Sequence, residues 1–408
     1  MNTDIKERRE ELDKLRVDEK KIEEEQNRQR LGEVLRYYDY FLNGLKVGTI
    51  RHGKRKYTDS SISAWTTFGN HLNGFLEEIH KLSMTFEDID CKTAIAFISH
   101  LENKGLMAAT VCQQINHFRK LCNQAAEEGV NTNATSLRIW HSSEAEDDEK
   151  RAEIILSEYE IDALYSMKLD GILEQVRDIW CLGFFSSQRV SDYSKLSKEN
   201  FKQLPSGLKV IVLKQQKTGK NLMVPILDER VFELCEKYDY KFPRLTRDTQ
   251  NRFIKIVARE LSESVPSLKE WCKTMIGLRE RQKEESFIAM RRRVEEGEIL
   301  HGEEAKRYKK MKDYADEFDC GEYLYKRDFA GNVIRQKWEL ITCHTSRRSS
   351  ITAMYDSGIY DLKDIMSVSG HQTLKNVERY LKRDAITQAE RLAEKARRAK
   401  VVKLKKEA

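Results

Sequence analysis

The chain has 408 residues, 39% of them hydrophobic and 34% charged, with 4 Pro and 19 Gly. That is more than one compact core usually holds, so two or three mostly helical folding units are expected, and collagen-like, low-complexity and stapled small proteins are excluded. The net charge is +6, and the last 80 residues hold more than all of it, with 9 basic against 6 acidic side chains in 329–384 and 8 against 3 in 385–408; DNA would feel that field, and a solvated tail would also display it.

In chain order, residues 1–30 read as a charged helix with a thin apolar stripe (Ile5, Leu12, Leu15, Ile22). Residues 31–141 hold four amphipathic helices, marked by Leu31 to Leu45, by Trp65 to Ile79, by Ile95, Ile98 and Leu101, and by Val111, Ile115, Phe118, Cys122 and Ala125. Between the first two lies a basic loop with Arg51, Lys54, Arg55 and Lys56, suited to phosphate contacts or to an ordinary solvated turn. Residues 142–153 are acidic and read as a linker.

A second domain is expected over 154–395. Ser157 and Glu160 form a capping box at its first helix, and an apolar helix is read over 177–196. Two β-rich runs, Leu208 to Leu213 and Leu222 to Ile226, flank a lysine-bearing turn and predict a hairpin, followed by a helix at 228–238. Residues 269–328, with 15 basic and 15 acidic side chains, read as a charged helical insertion of surface helices. Three short helices near 345–357, 361–369 and 374–383 follow, the first two ended by Gly358 and Gly370, and a basic tail closes the chain at 396–408. The fold class expected is mainly α with a small antiparallel β-sheet. The 8 Cys form no CxxC pair or zinc spacing, the N-terminus is too charged for a secretory leader, and no apolar run approaches the ~18 residues of a membrane helix. Reduced thiols, a cytoplasmic home and no membrane partner are expected.

Six side chains of the second domain carry chemistry when read together. They are Arg189 after the apolar helix, Lys217 in the hairpin turn, His344 and Arg347 in one His-x-x-Arg unit, His371 after Gly370, and Tyr380 nine positions later. Cleavage of a phosphodiester by an enzyme nucleophile needs such a set. Two guanidinium forks meet the charge that develops on the non-bridging oxygens. A tyrosine hydroxyl attacks once its proton is drawn off, with His344 the candidate base. A lysine ammonium protonates the departing 5′-oxygen; Lys217 is the choice, with Lys214 and Lys220 as neighbours on the same turn. His371 would bond the phosphate or buttress the site. Taken singly, Arg189 could be an ion-pair partner of Asp192, and Tyr380 a packing tyrosine beside Val377 and Leu381.

With Gln188-Arg189-Val190-Ser191-Asp192, Lys217 between two strands, His344-Thr345-Ser346-Arg347-Arg348-Ser349 and Ser369-Gly370-His371-Gln372-Thr373 followed by Tyr380, the chain resembles the tyrosine recombinase (phage integrase) family, in wording close to integrases of bacterial mobile elements. The resemblance covers about 31–395. It implies a SAM-like helical core-binding domain and an α+β catalytic domain. It further implies site-specific DNA cutting and joining through a 3′-phosphotyrosine intermediate and a Holliday junction, without metal or other cofactor. Double-stranded DNA, a homo-tetramer on synapsed sites and accessory DNA-bending or directionality proteins are the implied partners, the bacterial nucleoid the implied location, and Arg348 a structural or DNA-backbone contact. Three features depart from the family: the 127 positions between Lys217 and His344, the N-terminus that is not a β-rich arm-binding domain, and the acidic linker. Two other classes remain as alternatives, a type IB topoisomerase-like relaxing enzyme and a non-catalytic architectural DNA-binding protein.

Overall fold

The computed structural model describes residues 29–140 and 153–381 without a break, and outside them only 16, 19, 21–23, 25–27, 389, 392, 393 and 397. Most of the expected helix 1–30, the linker up to 152 and nearly all of the basic tail 396–408 therefore lie outside the described residues. Helices α1 (Val34–Val47), α2 (Asp59–Glu78), α3 (Cys91–Asn103) and α4 (Ala108–Glu127) come first. Then come α5 (Glu158–Ser166), α6 (Gly171–Ser186), α7 (Val190–Tyr193), strands β1 (Phe201–Gln203), β2 (Lys209–Lys214) and β3 (Asn221–Pro225), and helices α8 (Arg230–Lys237) and α9 (Arg247–Leu261). Strand β4 (Trp271–Lys273), helices α10 (Leu278–Glu295) and α11 (Gly302–Glu317), strand β5 (Ile334–Gln336) and helices α12 (Cys343–Asp356), α13 (Leu362–Ser369) and α14 (Leu374–Glu378) complete the chain. Among the described residues no helix is long and apolar enough to cross a membrane.

Contacts divide the chain into two compact units, the first made of Met1–Arg151, Met275–Tyr314 and Glu322–Leu324, the second of Ala152–Thr274, Ala315–Gly321 and Tyr325–Ala408. In the first unit the side-chain oxygens of Thr58 and Asp90 accept backbone N–H groups and so start α2 and α3. The core is aromatic. Phe68, Phe97 and Phe118 meet edge to face, and Trp140, beyond α4, stacks on Phe118 at 4.2 Å. The face of α3 differs from the sequence reading: Ala94, Phe97 and Leu101 point inward, whereas Ile95 is 64% exposed. Helices α10 and α11 are not purely surface helices either. Phe287, Met290 and Met311 are buried, Phe287 stacks on Tyr308, and Met275–Tyr314 groups with the first unit.

The second unit is built around α6, whose residues from Val176 to Gly183 are all buried. The helix read over 177–196 is in fact two helices. It stops at Ser187, held at φ 55° in the left-handed region, and restarts at α7. The hairpin is present as β2–β3, with Val210 opposite Pro225 and Lys214 opposite Asn221, and β1 adds a third antiparallel strand that the sequence reading lacked. Alternation buries Ile211 and Leu213 on one strand and Leu222 and Val224 on the next. Also unread were α9 and the β4–β5 pair that brackets the insertion. Two contacts fix the start of α12: the Trp180 indole donates to the Thr342 carbonyl at 2.9 Å, and the Asn251 side chain accepts the Cys343 N–H at 2.8 Å. The Ser157–Glu160 capping box forms as read.

Gly370 ends α13 in the left-handed region (φ 71°), and a Cβ there would lie 2.4 Å from Gln215 Nε2 and 2.5 Å from Leu222 Cδ1. Backbone strain and overpacking therefore act together. Gly370→Ala is expected to cost about 2–4 kcal/mol in denaturant unfolding, while a loss under about 0.5 kcal/mol would mean that the loop relaxes without consequence.

Candidate active site

The break after α6 places the first of the cationic residues. Because Ser187 turns the chain, Arg189 stands at the N-terminus of α7 instead of continuing the apolar helix, and Gln188 fastens the turn by donating to the carbonyls of Ser186 (2.9 Å) and Val368 (2.8 Å). The first turn of α12 carries His344 and Arg347, Gly370 turns the chain so that His371 follows α13, and Tyr380 lies just past α14.

Arg347 is 1% exposed. Its Nη1 donates to the Ser187 carbonyl at 2.8 Å and its Nη2 to the Ser369 carbonyl at 2.7 Å, and Nη2 also meets His371 Nε2 at 3.1 Å. A guanidinium only donates, so His371 Nε2 accepts and its proton sits on Nδ1, directed at Ser369 Oγ 2.8 Å away. The Tyr380 hydroxyl lies 3.1 Å from His344 Nε2, and its ring centre is 5.5 Å from that of His344 and 5.1 Å from that of His371. Four of the six residues are thus in mutual contact. Arg189 is close enough for its charge to act on Arg347, His344 and His371. Two buried guanidinium nitrogens, Arg189 Nη1 and Arg347 Nε, have no hydrogen-bond partner. The ion-pair alternative for Arg189 is not what the structure contains: Asp192 instead accepts the Gln216 N–H at 2.9 Å.

Electrostatics follow from this crowding of cations. Burial first, then the Arg189 charge, lowers Arg347 to about 10. Burial and the Arg347 and Arg189 charges lower His371 to about 3. His344 falls to about 4 through desolvation and then the charges of Arg348, Arg347, Arg189 and Lys217. The His344 side chain is exposed on one side, so hydration weakens both the desolvation and the repulsion by the four cations. Both imidazoles are therefore neutral at pH 7; His371 already accepts from Arg347, and His344 Nε2 faces the Tyr380 hydroxyl.

Lys217 is exposed on the β2–β3 turn, within electrostatic reach of His344. Arg348, read as a structural or DNA-backbone contact, pairs with Glu153 at 3.0 Å and is 12% exposed at the side chain. Arg51, Lys54, Arg55 and Lys56 are exposed in the first unit, on a tight turn closed by reciprocal backbone bonds between His52 and Arg55. Arg51 Nε donates to the Gly48 carbonyl at 2.8 Å. The sequence reading assigned no role to Gln215, whose buried amide donates to the Ser369 carbonyl at 3.1 Å. One of two adjacent Gln residues between lysines gives no pattern by which to find it.

Residues 33–137 match the phage integrase SAM-like domain family. Among curated proteins nothing matches the chain. Among solved structures, a lambda integrase dimer bound to a COC′ core site is similar at 14% identity and TM-score 0.51, over 85% of this chain and 94% of that one. XerH site-specific recombinase in a post-cleavage complex with palindromic difH substrate is similar at 13% identity and TM-score 0.53, over 89% and 96%. A Tn1549 transposon integrase in complex with a circular intermediate DNA is similar at 10% identity and TM-score 0.52, over 89% and 99%. The chain therefore shares the fold of these DNA-bound recombinase and integrase structures, and residues 33–137 match a phage integrase SAM-like domain.

Proposed function

We propose that this chain is a site-specific DNA recombinase that breaks and rejoins strands through a 3′-phosphotyrosine link to Tyr380. The observation that carries the reading is the Tyr380 hydroxyl 3.1 Å from a neutral His344, beside the buried Arg347 and the half-buried Arg189, whose buried Nε and Nη1 atoms respectively lack partners. Buried donors without acceptors are costly in a protein alone and are satisfied when an anion with several oxygens occupies the space between them.

In this reading Arg189 and Arg347 bind the non-bridging oxygens of the scissile phosphate. His344 Nε2 draws off the phenolic proton as Tyr380 Oη bonds to phosphorus, the bond to the 5′-oxygen breaks, and Lys217 delivers a proton to that oxygen. His371 holds Arg347 in place from behind. The reverse steps, with a 5′-hydroxyl attacking the phosphotyrosine, reseal the strand. The number of high-energy phosphate bonds is unchanged, so no nucleotide cofactor is required. That XerH and the lambda and Tn1549 integrases were captured on DNA supports duplex DNA as substrate, and the resemblance in motif wording supports the finer proposals of a tetramer, a Holliday junction and a mobile-element setting.

Tyr380→Phe is expected to leave duplex binding within about threefold of wild type, a few tenths of a kcal/mol, and to abolish the covalent protein–DNA adduct on denaturing gels. An adduct that persists would move the nucleophile elsewhere. Lys217→Ala is expected to slow cleavage of ordinary DNA by about 100-fold or more, yet to cut DNA with a sulfur leaving group at close to the wild-type rate, since a thiolate departs without a proton. Equal slowing on both would remove Lys217 from the acid role.

A further inference from the structure

The Ser369 carbonyl oxygen has two donors. Arg347 Nη2 reaches it at 2.7 Å from α12, and Gln215 Nε2 at 3.1 Å from the end of β2. Gln215 is fully buried, two positions before Lys217, and every polar atom it has is engaged at the turn. Its amide oxygen accepts from the Thr218 hydroxyl at 2.7 Å, its backbone N–H donates to the Lys220 carbonyl at 2.9 Å, and its carbonyl accepts the Gly219 N–H at 2.8 Å. The amide orientation is fixed by its partners, because a carbonyl oxygen can only accept. The next residue, Gln216, donates its N–H to Asp192, three residues beyond Arg189.

The position is made to measure for an amide. An aliphatic side chain would fill the same buried space without desolvating two polar groups, and Gly370 opens that space at the cost of a left-handed backbone, since any Cβ there would collide with Gln215 Nε2. The result is a continuous hydrogen-bonded path from the lysine-bearing turn, through Thr218 and Gln215, to the carbonyl that anchors Arg347.

We propose that Gln215 is a positioning residue: it locks the β2–β3 turn to the Ser369 carbonyl and thereby sets the turn's lysine at the leaving-group side of the phosphate that Arg347 holds. This rests on the recombinase reading above. Arg347 stays anchored by Ser187 and His371 without it, so the amide's separate task is the register of the turn, and its loss should act on leaving-group protonation.

The test compares wild type, Gln215→Met, Thr218→Val and Lys217→Ala in single-turnover cleavage of ordinary duplex DNA and of the same duplex with a bridging sulfur at the 5′ position. Gln215→Met is expected to lose about 10- to 100-fold on ordinary DNA and to recover to within a few-fold of wild type on the sulfur substrate, with Thr218→Val giving the same pattern more weakly. Adding Gln215→Met to Lys217→Ala should slow ordinary cleavage little further. Equal slowing of Gln215→Met on both substrates, or wild-type rates on both, would overturn the proposal. Should Gln215→Met fail to melt cooperatively, Thr218→Val decides in the same way. Rescue of Gln215→Met without rescue of Lys217→Ala would uphold the positioning role and transfer the acid role to Lys214 or Lys220. No adduct from wild type on either duplex would overturn the recombinase reading itself, a different signature from either failure above.

Discussion

A guanidinium at 1% exposure, with no carboxylate among the described residues in ion-pair contact, is the constraint around which the second unit is arranged. Arg347 is held by two backbone carbonyls and a neutral imidazole, all of which satisfy its N–H groups and none of which cancels its charge. Burying a cation in this way is costly, and Arg189 adds to the cost by lying near enough to lower its proton affinity. The local oddities of the fold serve the same end. Ser187 takes a left-handed backbone and presents its carbonyl to Nη1; Gly370 takes one too, leaving the Ser369 carbonyl to face Nη2. Uncancelled positive charge with unpartnered donors is a poor arrangement for a protein by itself and a good one for a phosphate.

The two kinds of cation differ in what they are free to do. Arg347 is immobile and bidentate by geometry, which suits it to a charge whose position does not change during the reaction. Lys217 is exposed at the tip of a turn and carries its charge on a flexible stem, which suits it to meeting an oxygen that moves as it departs. Between them, His344 and Tyr380 share a hydrogen bond, and desolvation together with the nearby cations keeps the His344 acceptor neutral.

Much of this was legible in the sequence, because side-chain period reports burial. Helices α1 to α4 follow from their apolar spacing, and the order of residue types in the second unit named the cluster that Tyr380, His344, Arg347 and His371 form in space. What was not legible has identifiable causes. The apolar run from Ile179 to Phe185 gives no hint that Ser187 turns left-handed, so one helix was read where there are two. Strands β1, β4 and β5 are three residues each, too short for a period of two to register. In α10 and α11 the few buried residues, such as Phe287 and Met311, are outnumbered by charges on the other faces. The Arg348–Glu153 pair spans almost two hundred positions and Gln215 meets a carbonyl that no sequence pattern connects to it, so neither contact could be read from the chain.

The most direct measurement is to incubate the chain with a nicked suicide duplex, digest the trapped complex with nuclease and protease, and locate the nucleotide-bearing residue by mass spectrometry. The account predicts a 3′-phosphodiester on Tyr380 and a free 5′-hydroxyl on the released strand. Attachment to another residue, or at a 5′-phosphate, would contradict it.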